Sequence, residues 1–187
     1  MQVGFYFDQS RCTGCADCQV ACKAWHDIPA GPEQWIRVNY TEKGKFPDVF
    51  VSHLVSTCYQ CLDPVCIPAC PTRAIAKRKE DGIVLVNSEL CLGNIECNVK
   101  CLKACPYDAP QFGPETGAKM SKCNFCLDRW SEGKLPVCVE TCRTRALDAG
   151  PLDELKAKYG GLNKAEGFVY SRRVKPAIVL KPKPVRR

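Results

Sequence analysis

Sixteen of the 187 residues are cysteine, roughly 9% of the chain, an extreme value for a protein of this length. They fall into four groups of four. The first is Cys12, Cys15, Cys18 and Cys22, spaced C-x2-C-x2-C-x3-C. The second is Cys58, Cys61, Cys66 and Cys70, spaced C-x2-C-x4-C-x3-C. The third is Cys91, Cys97, Cys101 and Cys105, and the fourth is Cys123, Cys126, Cys138 and Cys142, spaced C-x2-C-x11-C-x3-C. Thiols in such numbers make disulfides, bind zinc or hold iron–sulfur clusters. Disulfides fit worst, because cysteines two apart rarely reach bridge geometry yet share a metal readily. The fourth group alone would suit a zinc ribbon. The first would not: three cysteines at two-residue intervals wrap a short loop around three corners of a cube, and a fourth follows three residues later. In two-cluster ferredoxins this last cysteine serves the other cluster. The C-x3-C step starts a helix, and proline next to it suits the first helical position, where a missing N–H is harmless. Cys70-Pro71 and Cys105-Pro106 show that pair, whereas Cys22-Lys23 and Cys142-Arg143 depart from it. Four ligands per cluster account for four [4Fe–4S] clusters with no thiol left over.

Composition excludes several other classes. Hydrophobic residues make up 45% and charged residues 25%, which rules out disorder as the main state. No run of about 18 apolar residues exists, so no membrane span is expected. Met1–Asp8 lacks a basic stretch followed by an apolar one, and the arginine pairs Arg172-Arg173 and Arg186-Arg187 lie far from the start. No export signal is therefore expected. The formal net charge of +7 counts thiols as neutral. Four clusters at about −2 each bring the loaded protein to about −1, so a nucleic-acid partner loses its electrostatic basis. The only histidines, His26 and His53, are expected as surface or hydrogen-bonded residues rather than ligands.

The chain carries an internal repeat. Cys58-Tyr-Gln-Cys-Leu-Asp63, Pro64-Val-Cys66 and Cys70-Pro-Thr-Arg-Ala74 correspond to Cys123-Asn-Phe-Cys-Leu-Asp128, Pro136-Val-Cys138 and Cys142-Arg-Thr-Arg-Ala146, with Arg129 to Leu135 extra in the second copy. This predicts an α+β fold of two ferredoxin-like dicluster units with a cluster-dominated core. Val3–Asp8 reads as a strand leading into the first group. Gln34–Tyr40 and Val49–Val55 read as a hairpin inserted at about 34–55, turning through Glu42–Lys45. Ile83–Val86 reads as a strand, and Leu152–Tyr159 as a helix ended by Gly160-Gly161. The expected organisation is a four-cluster domain over 1–165 and a tail over 166–187. From Gly167 onward the chain holds seven basic residues and no acidic one. Pro176, Pro182 and Pro184 point to an extended arm that docks on a partner.

Residues outside the cysteine groups resemble a known family. Phe5-Tyr-Phe-Asp8, Arg11-Cys-Thr-Gly-Cys15, Lys79-Glu-Asp-Gly-Ile-Val84, Cys105-Pro-Tyr-Asp-Ala-Pro110, Lys122-Cys123 and Pro151-Leu-Asp-Glu-Leu155 are similar to the four-cluster iron–sulfur subunits of dimethyl sulfoxide reductase-type molybdenum or tungsten oxidoreductases. The resemblance runs from about Gly4 to Tyr159. It implies a non-catalytic electron wire between a large subunit with a molybdenum or tungsten pterin and a quinone-reactive membrane subunit or another carrier. Such a subunit is cytoplasmic, or exported folded with a signal-bearing partner, and peripheral to the membrane where a membrane subunit exists. The resemblance pairs group one with four and group two with three. One cluster would then take Cys12, Cys15, Cys18 and Cys142, and the next Cys22, Cys123, Cys126 and Cys138. A third would take Cys58, Cys61, Cys66 and Cys105, and the last Cys70, Cys91, Cys97 and Cys101.

The third group departs from the family spacing. Read from the left, Asn94 occupies the expected second cysteine position. Read from the right, Cys105-Pro106 is the fourth cysteine and the loop before it has grown. The right-hand register is preferred, because Pro-Tyr-Asp-Ala-Pro follows and all four thiols are used. Lys23 and Arg143 flank cluster ligands, where they either raise cluster potentials or serve as ordinary surface charges. Trp25 and Trp130 read as covers that keep water from the clusters. No phosphate-binding glycine loop, Ser–His–Asp set or flavin motif occurs. The alternatives are a tungsten aldehyde oxidoreductase-type complex, a free polyferredoxin, and a zinc-rich binding module.

Overall fold

The computed structural model describes residues 1–184. The chain opens on β1 (Val3–Asp8), whose six residues are all buried. It is the centre of a three-stranded sheet. β8 (Leu147–Pro151) runs antiparallel to it, from Val3 opposite Pro151 to Phe7 opposite Leu147. β9 (Ile178–Lys181) runs parallel on the other edge, from Phe5 opposite Ile178 to Asp8 opposite Lys181. A strand flanked on both edges and covered on both faces can be apolar throughout. Val3, Phe5 and Phe7 face the main core. Tyr6 faces the other way and packs with Leu152 and Leu155 of α6 (Leu152–Tyr159). Acidic Asp153 and Glu154 at the start of α6 and basic Lys156 and Lys158 at its end suit the helix dipole, and Gly160, at φ +84°, terminates it.

The cysteines sit on short helices and the loops before them. α1 (Asp17–Trp25) packs against α5 (Val137–Glu140), which brings groups one and four together. α2 (Cys66–Ala69) packs against α3 (Lys100–Ala104), which joins groups two and three. The chain thus starts one unit, builds the second and returns to finish the first. β4 (Ile75–Lys77) and β5 (Val84–Val86) form a small antiparallel pair beside the second unit. β6 (Gln111–Phe112) pairs with β7 (Met120–Ser121). α4 (Leu127–Ser131) begins on the repeated Leu127-Asp128 pair, and its remainder with the turn after it belongs to the residues extra to the second repeat copy. The architecture is α+β with small sheets.

The inserted hairpin is longer than its sequence pattern indicates. β2 (Ile36–Lys45) and β3 (Asp48–Thr57) pair over their full length, from Ile36 opposite Thr57 to Lys45 opposite Asp48. Glu42–Lys45 therefore belongs to a strand, and the turn falls at Phe46-Pro47. Proline cannot donate to a ladder, so it is better placed in the turn than beside it. The tip is exposed. At the base, Ile36, Leu54 and Val55 are buried in the main core.

The segment after residue 165 corrects the expectation of an extended arm. Val174, Ala177, Ile178, Val179 and Leu180 are all buried, and β9 completes the central sheet. Upstream of it, the Leu62 and Asp63 amides donate to the Lys175 and Val174 carbonyls, and the Ala177 amide donates to the Tyr59 carbonyl. Gly4 permits the close approach, since a Cβ there would lie 2.5 Å from the Ala177 carbonyl oxygen. The basic residues and prolines flank the apolar run Ala177–Leu180, which pairs with the otherwise free edge of β1. Residues 185–187 of the expected arm lie outside the described residues. Leu180→Ala is expected to destabilise the isolated loaded protein by about 2–5 kcal/mol, seen as a lower thermal midpoint. An unchanged midpoint would mean that this segment is not part of the fold.

Candidate metal centres

The fold gathers the sixteen cysteines, all free thiols, into four sets. Cys12, Cys15, Cys18 and Cys142 line one cavity, roofed by Val38 and Val55 from the hairpin base. Cys58, Cys61, Cys66 and Cys105 line a second. Cys70, Cys91, Cys97 and Cys101 line a third. Cys22, Cys123, Cys126 and Cys138 are each buried, and their thiols lie near enough to disfavour one another's ionisation. In each set three cysteines come from one loop and one from its partner loop. The three cavity-lining sets surround a space, whereas a single zinc ion would draw four sulfurs to about 2.3 Å from one point. Four soft thiolates around a void suit a cubane of iron and sulfide.

The loops are shaped to direct amide N–H groups at sulfur. The Met120 amide lies 3.4 Å from Cys91 Sγ, the Phe125 amide 3.4 Å from Cys123 Sγ, and the Ala146 amide 3.3 Å from Cys142 Sγ. Left-handed residues make these turns, as in other anion-binding backbone concavities. The internal repeat has the same cause. Gln60 and Phe125 occupy equivalent places and both have positive φ, 45° and 62°. So do Arg73 and Arg145, at 57° and 52°. Thr72 and Thr144 each place a hydroxyl 3.6 or 3.7 Å from the sulfur of the preceding cysteine. Ala74 and Ala146 are buried behind them. Gly14, at φ +74°, has a further constraint, because a Cβ would fall 2.5 Å from the His53 ring.

In the enlarged third loop, Asn94 turns away from the cavity. Its amide donates to the Ala118 carbonyl at 3.0 Å. Its side chain donates to the Glu115 carbonyl at 3.2 Å and accepts from the Gly117 amide at 2.9 Å. Asn94 therefore fastens the 115–118 turn. The added residues bulge outward, with Ile95 exposed, and Cys97 returns to the cavity wall. Val99 then takes φ +46° to start α3, an uncommon conformation for a β-branched residue.

Burial, reinforced by neighbouring thiols, pushes Cys18 and Cys66 up to about 12. Burial likewise raises Cys126 to about 12 and Cys101 to about 11. Two side chains that the sequence pattern did not mark as part of the sites touch them. His26 is half-buried, tilted against Trp35 at 4.6 Å, with Nε2 3.2 Å from Cys126 Sγ; burial lowers its pKa. Lys122 is 4% exposed, lines the second cavity, and favours the charged forms of both Cys66 and Cys123. The position of Lys122 next to Cys123 was legible, but its burial was not, because lysine ordinarily reads as surface. Lys23 and Arg143 are held locally: the Lys23 ammonium donates to the Pro29 and Gly31 carbonyls, and Arg143 pairs with Asp17 at 2.8 Å. Trp25 donates to Asp128 and lies under the Arg129 guanidinium, and Trp130 meets Phe125 edge-on.

Metal binding requires thiolates, and raised thiols such as Cys18, Cys66, Cys101 and Cys126 hold their protons in the metal-free fold at neutral pH. Loading the protein with iron and sulfide is therefore expected to release protons. Binding should strengthen as pH rises and weaken as it falls. Iron retention measured against pH checks the sign, and retention that improves on acidification would contradict it.

Comparison with known proteins agrees with this chemistry. Two family models described as the 4Fe-4S dicluster domain match residues 49–152 and 11–74. The chain is 43% identical to the B subunit of anaerobic dimethyl sulfoxide reductase from Escherichia coli (strain K12), over 97% of this chain and 89% of that one. It is 39% identical to the protein of the same name from Haemophilus influenzae, with the same shares covered. Protein NrfC of Escherichia coli (strain K12) is 35% identical, over 98% of this chain and 79% of that one. With sixteen cysteines in four sets and two dicluster matches, the chain belongs to the four-cluster [4Fe–4S] iron–sulfur subunits of the dimethyl sulfoxide reductase type, which transfer electrons and are not themselves the catalytic subunits.

Proposed function

We propose that the four sets bind one [4Fe–4S] cluster each and form a linear wire, numbered along it as the sets of Cys12, Cys22, Cys58 and Cys70. Each cluster, when bound, carries one electron at a time. The gathering of sixteen thiols from four loops into four sets of four carries this reading. Cys18 and Cys22 on α1, with Cys138 and Cys142 on or beside α5, link the first set to the second. Cys66 at the start of α2 and Cys70 just after it, with Cys101 in α3 and Cys105 just after it, link the third to the fourth. Cys58 lies close enough to Cys123 to disfavour its ionisation, which joins the second set to the third. The ends of the wire are then the first set, under the hairpin base, and the fourth, beside Pro71, Leu92 and Lys100. Burial of the inner thiols keeps water away, and the inward amides stabilise charge on sulfur.

By its likeness to the B subunit of anaerobic dimethyl sulfoxide reductase, the protein relays electrons between a large molybdenum- or tungsten-pterin subunit and a membrane quinone-reactive subunit or another carrier. Among the described residues no helix is long and apolar enough to cross a membrane, and attachment through a partner fits a peripheral place. The folded unit extends through β9.

Anaerobic purification with associated chains, followed by metal and sulfide analysis, tests the assignment. About sixteen iron and sixteen sulfide per chain, with molybdenum or tungsten in a co-purifying large subunit, are expected. Zinc without sulfide would overturn it. Within the third loop, Asn94→Ala should keep all the iron, whereas Cys97→Ala should lose about a quarter or convert one cluster to a three-iron form, visible by electron paramagnetic resonance. Iron loss in the Asn94 variant alone would restore the left-hand register.

A further inference from the structure

The step between the second and third sets differs from the other two. The outer steps each run along a packed pair of short helices with ligands of both clusters in them or just beyond their C-terminal ends, whereas the middle step crosses the seam between the units and, among the described residues, no helix spans it. Two buried polar side chains fill that seam. Gln60, fully buried, accepts from the Val84 amide at 2.8 Å and donates to the Cys123 carbonyl at 3.1 Å. The Lys122 ammonium donates to the Val84 carbonyl and, at 3.0 Å, to the Cys123 carbonyl. Among the described residues no carboxylate pairs with Lys122.

A buried ammonium without a counter-charge is strongly unfavourable, and backbone carbonyls compensate only part of it. The missing negative charge is at hand if the sets are loaded as proposed. Lys122 lines the cavity of Cys58, Cys61, Cys66 and Cys105 and adjoins Cys123 in the chain. Each cluster with its four thiolates is an anion, and one-electron reduction adds a further negative charge. A fixed cation stabilises the reduced form more than the oxidised one, which raises the potential. In a low-dielectric interior this effect is large and local.

We propose that Lys122 is the counter-cation of the middle step, raising the potentials of the two clusters that face each other across the seam so that the electron crosses between the units. This rests on the cluster assignment above, and Lys122 acts as a positioning residue for charge, with no bond made or broken.

The test is a redox titration of the loaded full chain, followed by electron paramagnetic resonance. It compares wild type with Lys122→Gln, Lys122→Met and Lys122→Arg. Glutamine keeps a donor but removes the charge. Both neutral variants are expected to lower the midpoint potentials of two of the four clusters and leave the other two unchanged. Arginine should return the pair toward wild type. Four unchanged potentials in fully loaded neutral variants would overturn the inference, as would a uniform fall in all four. If both neutral variants lose iron while arginine keeps it, the charge is still the requirement. Loss in all three would make Lys122 a packing residue and end the proposal. The cluster assignment fails separately: wild type would hold markedly fewer than sixteen iron, or Cys58→Ser and Cys123→Ser would leave every cluster signal intact.

Discussion

Four thiols held together away from water resist ionisation, and a metal–sulfide cluster requires all four as thiolates. The fold meets this constraint four times with little polypeptide. Burial pushes thiols such as Cys18, Cys66, Cys101 and Cys126 up, yet inward amide N–H groups favour charge on sulfur once metal binds. Secondary structure follows from it. The cysteine helices are four to nine residues long, too short to be stable alone. They pack in pairs, α1 with α5 and α2 with α3, around the cysteines that they carry.

The same constraint explains features that would otherwise be liabilities. Arg73, Arg145, Gln60, Phe125 and Val99 all adopt left-handed conformations that side chains normally avoid. In each case the turn lies in or beside a cysteine loop. Strain concentrated where a site imposes geometry is a familiar pattern. Lys122 and His26 belong to the same logic, since a donor or a cation beside sulfur is favourable only where sulfur is anionic.

The central sheet plays a different part. It returns the chain to where it began, so that group four meets group one. β1 lies between β8 and β9, with α6 covering Tyr6, and on the opposite face Phe7 and Leu147 line the cavity of Cys12, Cys15, Cys18 and Cys142. Its outer strand comes from a segment that reads as a basic tail. Charge and proline content describe the ends of that segment, while four apolar residues in its middle decide where it goes.

The sequence alone determined the cofactor chemistry, because ligand type and spacing are local properties. C-x2-C loops, C-x3-C helix starts and the repeated Thr-Arg-Ala run act over a few residues, and they were legible without coordinates. β1 and α6 were legible for the same reason, since periodicity and terminators lie within each element. Only tertiary structure decided what depends on distant partners. The hairpin turn falls at Phe46-Pro47 because the ladder between β2 and β3 fixes the register, not the nearest glycine. Asn94 fastens a turn more than twenty residues away, so its place in a cysteine spacing said nothing of its role. Leu180 pairs with a strand at the other end of the chain, and Lys122 is buried by a seam between units. Burial and pairing are sums over contacts far apart in sequence, and a window along the chain does not contain them.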